Sequence, residues 1–182
     1  MDLYIVPLAG SFAAHVACLE AGITPVLHIV DGKSKHLPDG RDYRRLVPHG
    51  IVPAVGLPDG TALTELTAVL PYIADQAPDR ALAPAPASAD RHRLIEWLAF
   101  LATELHKKHL QAVFGTNVAA GADAWSRANV GPMFDHIARK LGHGDYAMGS
   151  QFTVVDCYLF WILFVAPHGG LASGSGAANA AT

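Results

Sequence analysis

The chain has 182 residues, 51% of them hydrophobic, and a formal charge of -3. That length allows one large domain or two small ones with a real core. Scattered basic residues argue against nucleic acid or an anionic membrane surface as the main partner.

The opening MDLYIVPLAG has no basic n-region and does not read as a signal peptide. LYIV (3–6) predicts a short buried strand. Gly10 and Ser11 precede a helix carrying Phe12, Val16 and Leu19 at helical spacing, with Gly22 as its stop. PVLHIV (25–30) is a second strand and DGKSKHLPDG a polar loop. DYRRLV (42–47) has room for one or two helical turns. PAVGL (53–57) and ALT (62–64) form a hairpin around Pro58-Asp59-Gly60. Glu65 to Ala77 is a helix ending before Pro78. The order β-α-β-loop-β-β-α needs a crossover between parallel strands in its first half and only a hairpin in its second.

ALAPAPASAD (81–90) reads as an interdomain linker that ends in a helix N-terminus. Beyond it the pattern is helical only. Leu94, Trp97, Leu98, Leu101 and Leu105 line one face of a long helix. A second helix carries Trp125, Met133, Phe134, Ile137 and Leu141, and Pro132 should kink or break it. A third starts at Thr153, where Thr153 and Asp156 form a capping box. Its run YLFWILFVA (158–166) is apolar all round, which predicts a central helix. The run is shorter than the roughly 20 residues of a membrane span. Cys18 and Cys157 each fall in an apolar helical pattern, which argues against a disulfide framework and for a reducing, cytoplasmic location. GGLASGSGAANAAT (169–182) is too poor in large side chains to offset its ordering entropy, and is expected to be poorly ordered.

Several residues admit both a structural and a chemical role. Pro53 opens a strand, either as an edge proline or after a cis Val52-Pro53 bond that leaves the Val52 N–H and C=O free for an extended peptide. Glu65 at a helix start either complements the helix dipole or holds a ligand ammonium, while the amides of Leu66 and Thr67 hold the neighbouring carboxylate. Lys35 and His36 are solvated loop residues, or a cation for a second carboxylate. In ELHKKH (104–109), His106 and His109 are three apart and so share a helix face. Two imidazoles alone are a poor zinc set, and no metal is expected. Ser11 is either the cap of the first helix or a hydroxyl donor to a reacting group.

These segments resemble the cytosolic glutathione transferase family, in particular its bacterial Beta class, over residues 1 to about 168. VPAVGLPDGTALTELTAVLPYIAD matches the family pattern VPxLxxxDGxxLTExxAIxxYLAD. RLIEWLAFLATELHKKH and GSQFTVVDCYLF resemble later family segments. The resemblance implies a thioredoxin-like α/β domain (βαβ-ββα, 1–80), the linker (81–90), an all-helical bundle (91–168) and the tail (169–182). It implies a homodimer with glutathione as co-substrate and a small hydrophobic electrophile as second substrate. By that resemblance Val52, beside a cis Pro53, pairs with the cysteinyl backbone of glutathione. Glu65 and Leu66 take the γ-glutamyl group, and Lys35 the glycine carboxylate. Thr103, Glu104 and His106 reach the cleft from the helical domain, and the electrophile sits near Tyr4 and Leu8.

The family pattern is also departed from. The Beta class has a cysteine where this chain has Gly10, which puts thiol redox chemistry in doubt. Gly10 would let the glutathione sulfur approach the helix amides closely. Ser11 is then the candidate thiolate donor and His106 the residue that shapes or polarises the cleft. Leu66 and Ala99 stand where the family has polar residues, and the tail stands where further helices are expected. The alternative expectation is a catalytically impaired protein of the same fold that binds glutathione or serves interaction only.

Overall fold

The computed structural model describes residues 1–171. The chain divides into two compact units, one ending at His92 and the other starting at Arg93.

In the first unit β1 (Asp2–Ile5) leads to α1 (Ser11–Glu20) and β2 (Val26–Ile29). A 3-10 turn (Tyr43–Arg45), β3 (Ala54–Gly56), β4 (Ala62–Thr64) and α2 (Leu66–Asp75) follow. The sheet order is β2-β1-β3-β4. β1 is parallel to β2 and antiparallel to β3, and β3 is antiparallel to β4. This is the expected βαβ-ββα order of a thioredoxin-like sheet. β1 is shifted one residue toward the N-terminus of its apolar run and β2 is trimmed by one residue at each end, so Val6 and Val30 lie just past their ends.

Strand alternation divides the sheet into two faces. Leu3 and Val55 share one face and are fully buried. Tyr4 and Ala54 share the other, where Val30, Leu37, Tyr43 and Val47 complete a small core. α1 buries only small residues, Ala13, Ala14, Ala17 and Cys18, and this lets it pack closely on α2 through Leu66, Val69, Leu70 and Ile73. α2 tolerates Pro71 inside it and ends at Asp75, two residues short of the expected end. Pro78 then opens a 3-10 turn.

The segment after it is anchored by Leu82, which is buried. Arg91, also buried, donates from Nε to the Pro84 carbonyl at 2.9 Å and pairs with Asp75. The Ser88 hydroxyl accepts the Arg91 amide at 3.1 Å and so caps the next helix.

That helix, α3 (Ala89–Phe100), continues without a break into a π-helical stretch (Leu101–Leu110) and a last α turn, α4 (Gln111–Phe114). A single regular α-helix was the sequence expectation. α5 (Ala122–Asn129) and α6 (Gly131–Leu141) replace the expected second helix. The break falls at Val130 because Pro132, in the first turn of α6, cannot donate a backbone bond into a continuing helix.

α7 (Val154–Val165) has the expected capping box. Thr153 Oγ1 accepts the Val155 amide at 3.3 Å, and Asp156 Oδ2 accepts the Thr153 amide at 2.8 Å. The helix is not buried all round. Val154, Val155, Cys157, Tyr158, Trp161 and Ile162 are buried, while Phe160, Leu163 and Phe164 are exposed. The tail expectation also begins too early. Gly169 closes a 3-10 turn and its carbonyl accepts Arg127 Nε at 3.0 Å, and Leu171 is buried. The rest of that expectation, residues 172–182, lies outside the described residues. Among the described residues no helix is long and apolar enough to cross a membrane.

Candidate functional site

The sheet register gathers the candidate residues of the first unit at one end. β3 pairs Ala54 with Thr64, so Val52 and Pro53 precede, and Glu65 and Leu66 follow, the same rung of the hairpin. β1 runs antiparallel to β3 with Tyr4 opposite Ala54, so its C-terminal end and the start of α1 lie at that same end. β2 runs parallel to β1 and delivers the 30–36 loop there too. Two helix N-termini therefore open at this end, α1 at Gly10 and α2 at Glu65, each presenting first-turn amides and the positive end of its dipole.

The Val52-Pro53 peptide is cis. Among the described residues no hydrogen bond is made by the Val52 N–H or C=O. The preceding carbonyl, of Ile51, accepts the Tyr43 hydroxyl at 2.7 Å. Tyr43 is fully buried, and burial pushes its phenol pKa up, so it stays a donor. Sequence reasoning missed Tyr43. Its signal is a lone tyrosine in an otherwise charged turn.

Glu65 takes φ 66 and ψ 125, a backbone conformation that a side-chain-bearing residue rarely adopts. Its carbonyl accepts the Ala68 and Val69 amides at 3.0 and 2.8 Å. Its exposed carboxylate makes no cap hydrogen bond of its own. Leu66 is buried, which leaves its backbone as the part it can present. Lys35 also has a positive φ, 62, fixed by its amide on the Asp31 carbonyl at 3.0 Å and the Tyr43 amide on its own carbonyl at 2.9 Å. Its stem lies against Gly50, where an added Cβ would meet Lys35 Cγ and Cδ at 3.4 Å. That contact carries Lys35 toward the segment that ends in Val52.

Ser11 is not the helix cap. Gly10 holds that position, and Ser11 is the first helical residue, fully buried. Its Oγ accepts the Val6 amide at 3.1 Å and donates to the Val6 carbonyl at 2.9 Å. Gly10 has φ -53 and ψ -23, a conformation open to any residue. Tyr4 stacks on His28, with centroids 4.5 Å apart, and leans on Tyr43 at 5.4 Å.

In the second unit, His106 accepts or donates at Nδ1 to the Tyr158 hydroxyl at 2.7 Å and meets the Trp161 ring at 4.6 Å. Burial, with a smaller effect of Lys107, lowers its pKa to about 4, so the imidazole is neutral at pH 7. His109 is fully buried, bonds Ser126 Oγ at 3.0 Å and stacks on Trp125. The two imidazoles thus meet different helices, α7 and α5, and do not share a face. The π-helical winding changes the angle per residue, and the three-residue spacing no longer aligns them. Among the described residues no group of three His, Cys, Asp or Glu side chains is placed to hold a metal. Thr103 bonds back to the Ala99 carbonyl at 3.0 Å, and Glu104 pairs with Lys108 at 2.8 Å. The Lys108 hydrogen bond, first, and its charge hold the Glu104 carboxyl below its usual pKa.

No protein-family model matches the chain. Glutathione S-transferase GstA of Escherichia coli O157:H7 is 37% identical over 163 residues, 90% of this chain and 81% of that protein. The bacterial beta-class glutathione S-transferase of Sphingomonas chungbukensis superposes with a TM-score of 0.88 at 37% identity, covering 94% of this chain and 85% of that one. A sphingomonad glutathione S-transferase solved as a complex with glutathione gives a TM-score of 0.87 at 36% identity, over 94% and 85%. The chain belongs to the glutathione S-transferase family, and its likeness there is to the bacterial beta class.

Proposed function

We propose that the chain conjugates glutathione through its sulfur to a small hydrophobic electrophile, and that the sheet end just described is where glutathione is held. The observation that carries this reading is the gathering of Val52, Glu65 and the two helix N-termini by one strand register. In it the Val52 N–H and C=O pair with the cysteinyl backbone beside Pro53. The amides of Leu66 and Thr67 take the γ-glutamyl carboxylate and Glu65 its ammonium. Lys35 meets the glycine carboxylate.

The sulfur then faces Gly10 and the first amides of α1. A helix N-terminus lowers a thiol pKa from about 8.5, so more thiolate is present at pH 7. The thiol proton leaves to solvent. The thiolate forms the carbon–sulfur bond, and the leaving group departs with its electron pair. Ser11 holds Val6 and the turn into α1, and becomes a direct donor to sulfur only by exchanging its bond to the Val6 carbonyl. Thr103, Glu104 and a neutral His106 are assigned to the helical domain's contribution, with His106 as a polariser or shaping group. Detoxification, a cytoplasmic homodimer and a site without metal go with this reading.

A second reading, glutathione binding without catalysis, is favoured by one observation: the Ser11 proton is already spent on Val6. Titration calorimetry with glutathione, paired with a conjugation assay using a chloronitrobenzene, separates the two. Binding with turnover above the uncatalysed rate is expected. Binding without turnover across several electrophiles supports the second reading, and absence of binding at millimolar glutathione removes both.

A further inference from the structure

The first unit carries a hollow of ≈ 630 Å³ lined by none of the residues proposed above to hold glutathione, although Tyr4, which the family resemblance sets near the electrophile, is one of its walls. It lies beside the sheet face of Tyr4, under the 36–46 loop and its 3-10 turn, and its size falls within the range of small-molecule sites. Leu37, Tyr43 and Leu46 give it apolar walls, with the edge of Tyr4 at one side. Tyr4 stacks on His28 and leans on Tyr43, and its hydroxyl is the polar atom it can offer a guest.

The rim charges are largely matched. Asp39 binds Arg41 at 2.7 Å, and Asp42 binds Arg44 at 2.9 Å, each carboxylate also accepting its partner's own amide. Besides His36, whose Nδ1 meets the Ser34 carbonyl at 2.9 Å, Arg45 is the remaining basic residue of the lining, and among the described residues it has no ion pair. The Tyr4 hydroxyl likewise makes no hydrogen bond among the described residues. One unmatched guanidinium, one phenol and leucine walls select a ligand of one negative charge with a compact apolar body. A dianion would face Asp39 and Asp42 with too few cations. A neutral apolar guest would leave the guanidinium and phenol unused.

We propose that this hollow binds a small organic monocarboxylate, its carboxylate on Arg45 and the Tyr4 hydroxyl and its apolar body against Leu37 and Leu46. The test is an amide NMR titration of the full chain with sodium benzoate at constant ionic strength, beside acetate and benzyl alcohol. Saturable shifts confined to residues 36–46 and the neighbouring β1 strand are expected. Acetate lacks the body and benzyl alcohol the charge, so each should bind at least about tenfold more weakly. Arg45→Gln should weaken benzoate by about tenfold or more and leave glutathione binding unchanged. Absence of saturable shifts, shifts centred on Val52 and Glu65, equal binding of benzyl alcohol, or undiminished binding to Arg45→Gln each overturns the proposal. The alcohol comparison needs only the unmutated chain, so the outcome does not depend on the variant folding.

Discussion

Ser11 and Val6 grip each other in both directions, with the Ser11 hydroxyl accepting the Val6 N–H at 3.1 Å and donating to the Val6 C=O at 2.9 Å. The pair ties the residue after β1 to the first residue of α1, and so sets where the α1 amides point. Ser11 is fully buried, so removing its hydroxyl leaves two backbone groups without that partner. Ser11→Ala should therefore cost about 1–3 kcal/mol of stability, read as a lower urea midpoint. Turnover per folded molecule should change by only a few-fold, with glutathione affinity little altered. A fall of about a hundredfold in kcat with an unchanged midpoint, of the size seen when an oxyanion donor is removed, would place the hydroxyl on the sulfur instead.

Gly10 gives a complementary prediction. Its helical φ and ψ do not require glycine, and it stands at a helix N-terminus, where a thiol is acidified. Gly10→Cys should yield a thiol that reacts quickly with a disulfide reagent at pH 7, with a titration midpoint below about 8.5. It should also form a mixed disulfide by exchange with oxidised glutathione, releasing one glutathione thiolate. Cys18 and Cys157 are both buried and give a slow background. The burial of Cys18 pushes its pKa up to about 11, the opposite direction. A Gly10→Cys thiol that titrates at or above the free value would show that the helix end does not polarise this position.

The contrast between these two neighbours shows what the sequence could reveal. Element order, the hairpin, the break near Pro132 and the capping box at Thr153 are written in local signals: alternation, turn residues, a missing amide, a Thr-Asp spacing. The cis Val52-Pro53 bond is implied by the family resemblance, since the residues alone allow an edge proline as well. The roles of Ser11 and Tyr43 are not, because each depends on a bond to a residue five or eight places away, Val6 or Ile51, and the fold alone brings these together. The π-helical stretch was illegible for another reason. Leu101 and Leu105 fit an α-helical stripe as well as a π-helical one, so the apolar pattern does not tell the windings apart. His106 and His109 were consequently assigned a common face. On α7, the helical pattern located the helix but not its exposed side, since Phe160 and Leu163 are as apolar as the residues that are buried.

Glu65 sets stability against binding. Its positive φ with ψ 125 costs a side-chain-bearing residue on the order of 1–3 kcal/mol, and glycine avoids that cost. Glu65→Gly should raise the thermal midpoint or leave it unchanged, although glycine also adds freedom to the unfolded chain. The same change removes the carboxylate proposed to hold the γ-glutamyl ammonium, so glutathione affinity should fall by about tenfold or more. Calorimetry and thermal unfolding on one preparation read both. A variant that loses stability and keeps its affinity would show that the strained backbone serves packing and not the ligand.

His106 yields a pH dependence whose sign follows from its burial. In the folded chain its pKa is lowered to about 4, while an unfolded histidine titrates near 6.5. Between those values the unfolded state binds the proton and the folded state does not. Stability therefore falls as pH drops from about 6.5 toward 4, by at most ~1.4 kcal/mol per pH unit from this residue. His106→Gln keeps a polar atom for Tyr158 and removes the titration. At pH 7 the variant should be the less stable protein, because it loses the ring contact with Trp161. The gap should narrow as pH is lowered to 4.5, since only the unmutated chain gains a proton on unfolding at this position. His109, whose pKa burial also lowers, is present in both proteins and largely cancels in the difference. Urea unfolding at a series of pH values measures the gap, and a gap that stays constant from pH 7 to 4.5 would mean that His106 is not held neutral by its surroundings.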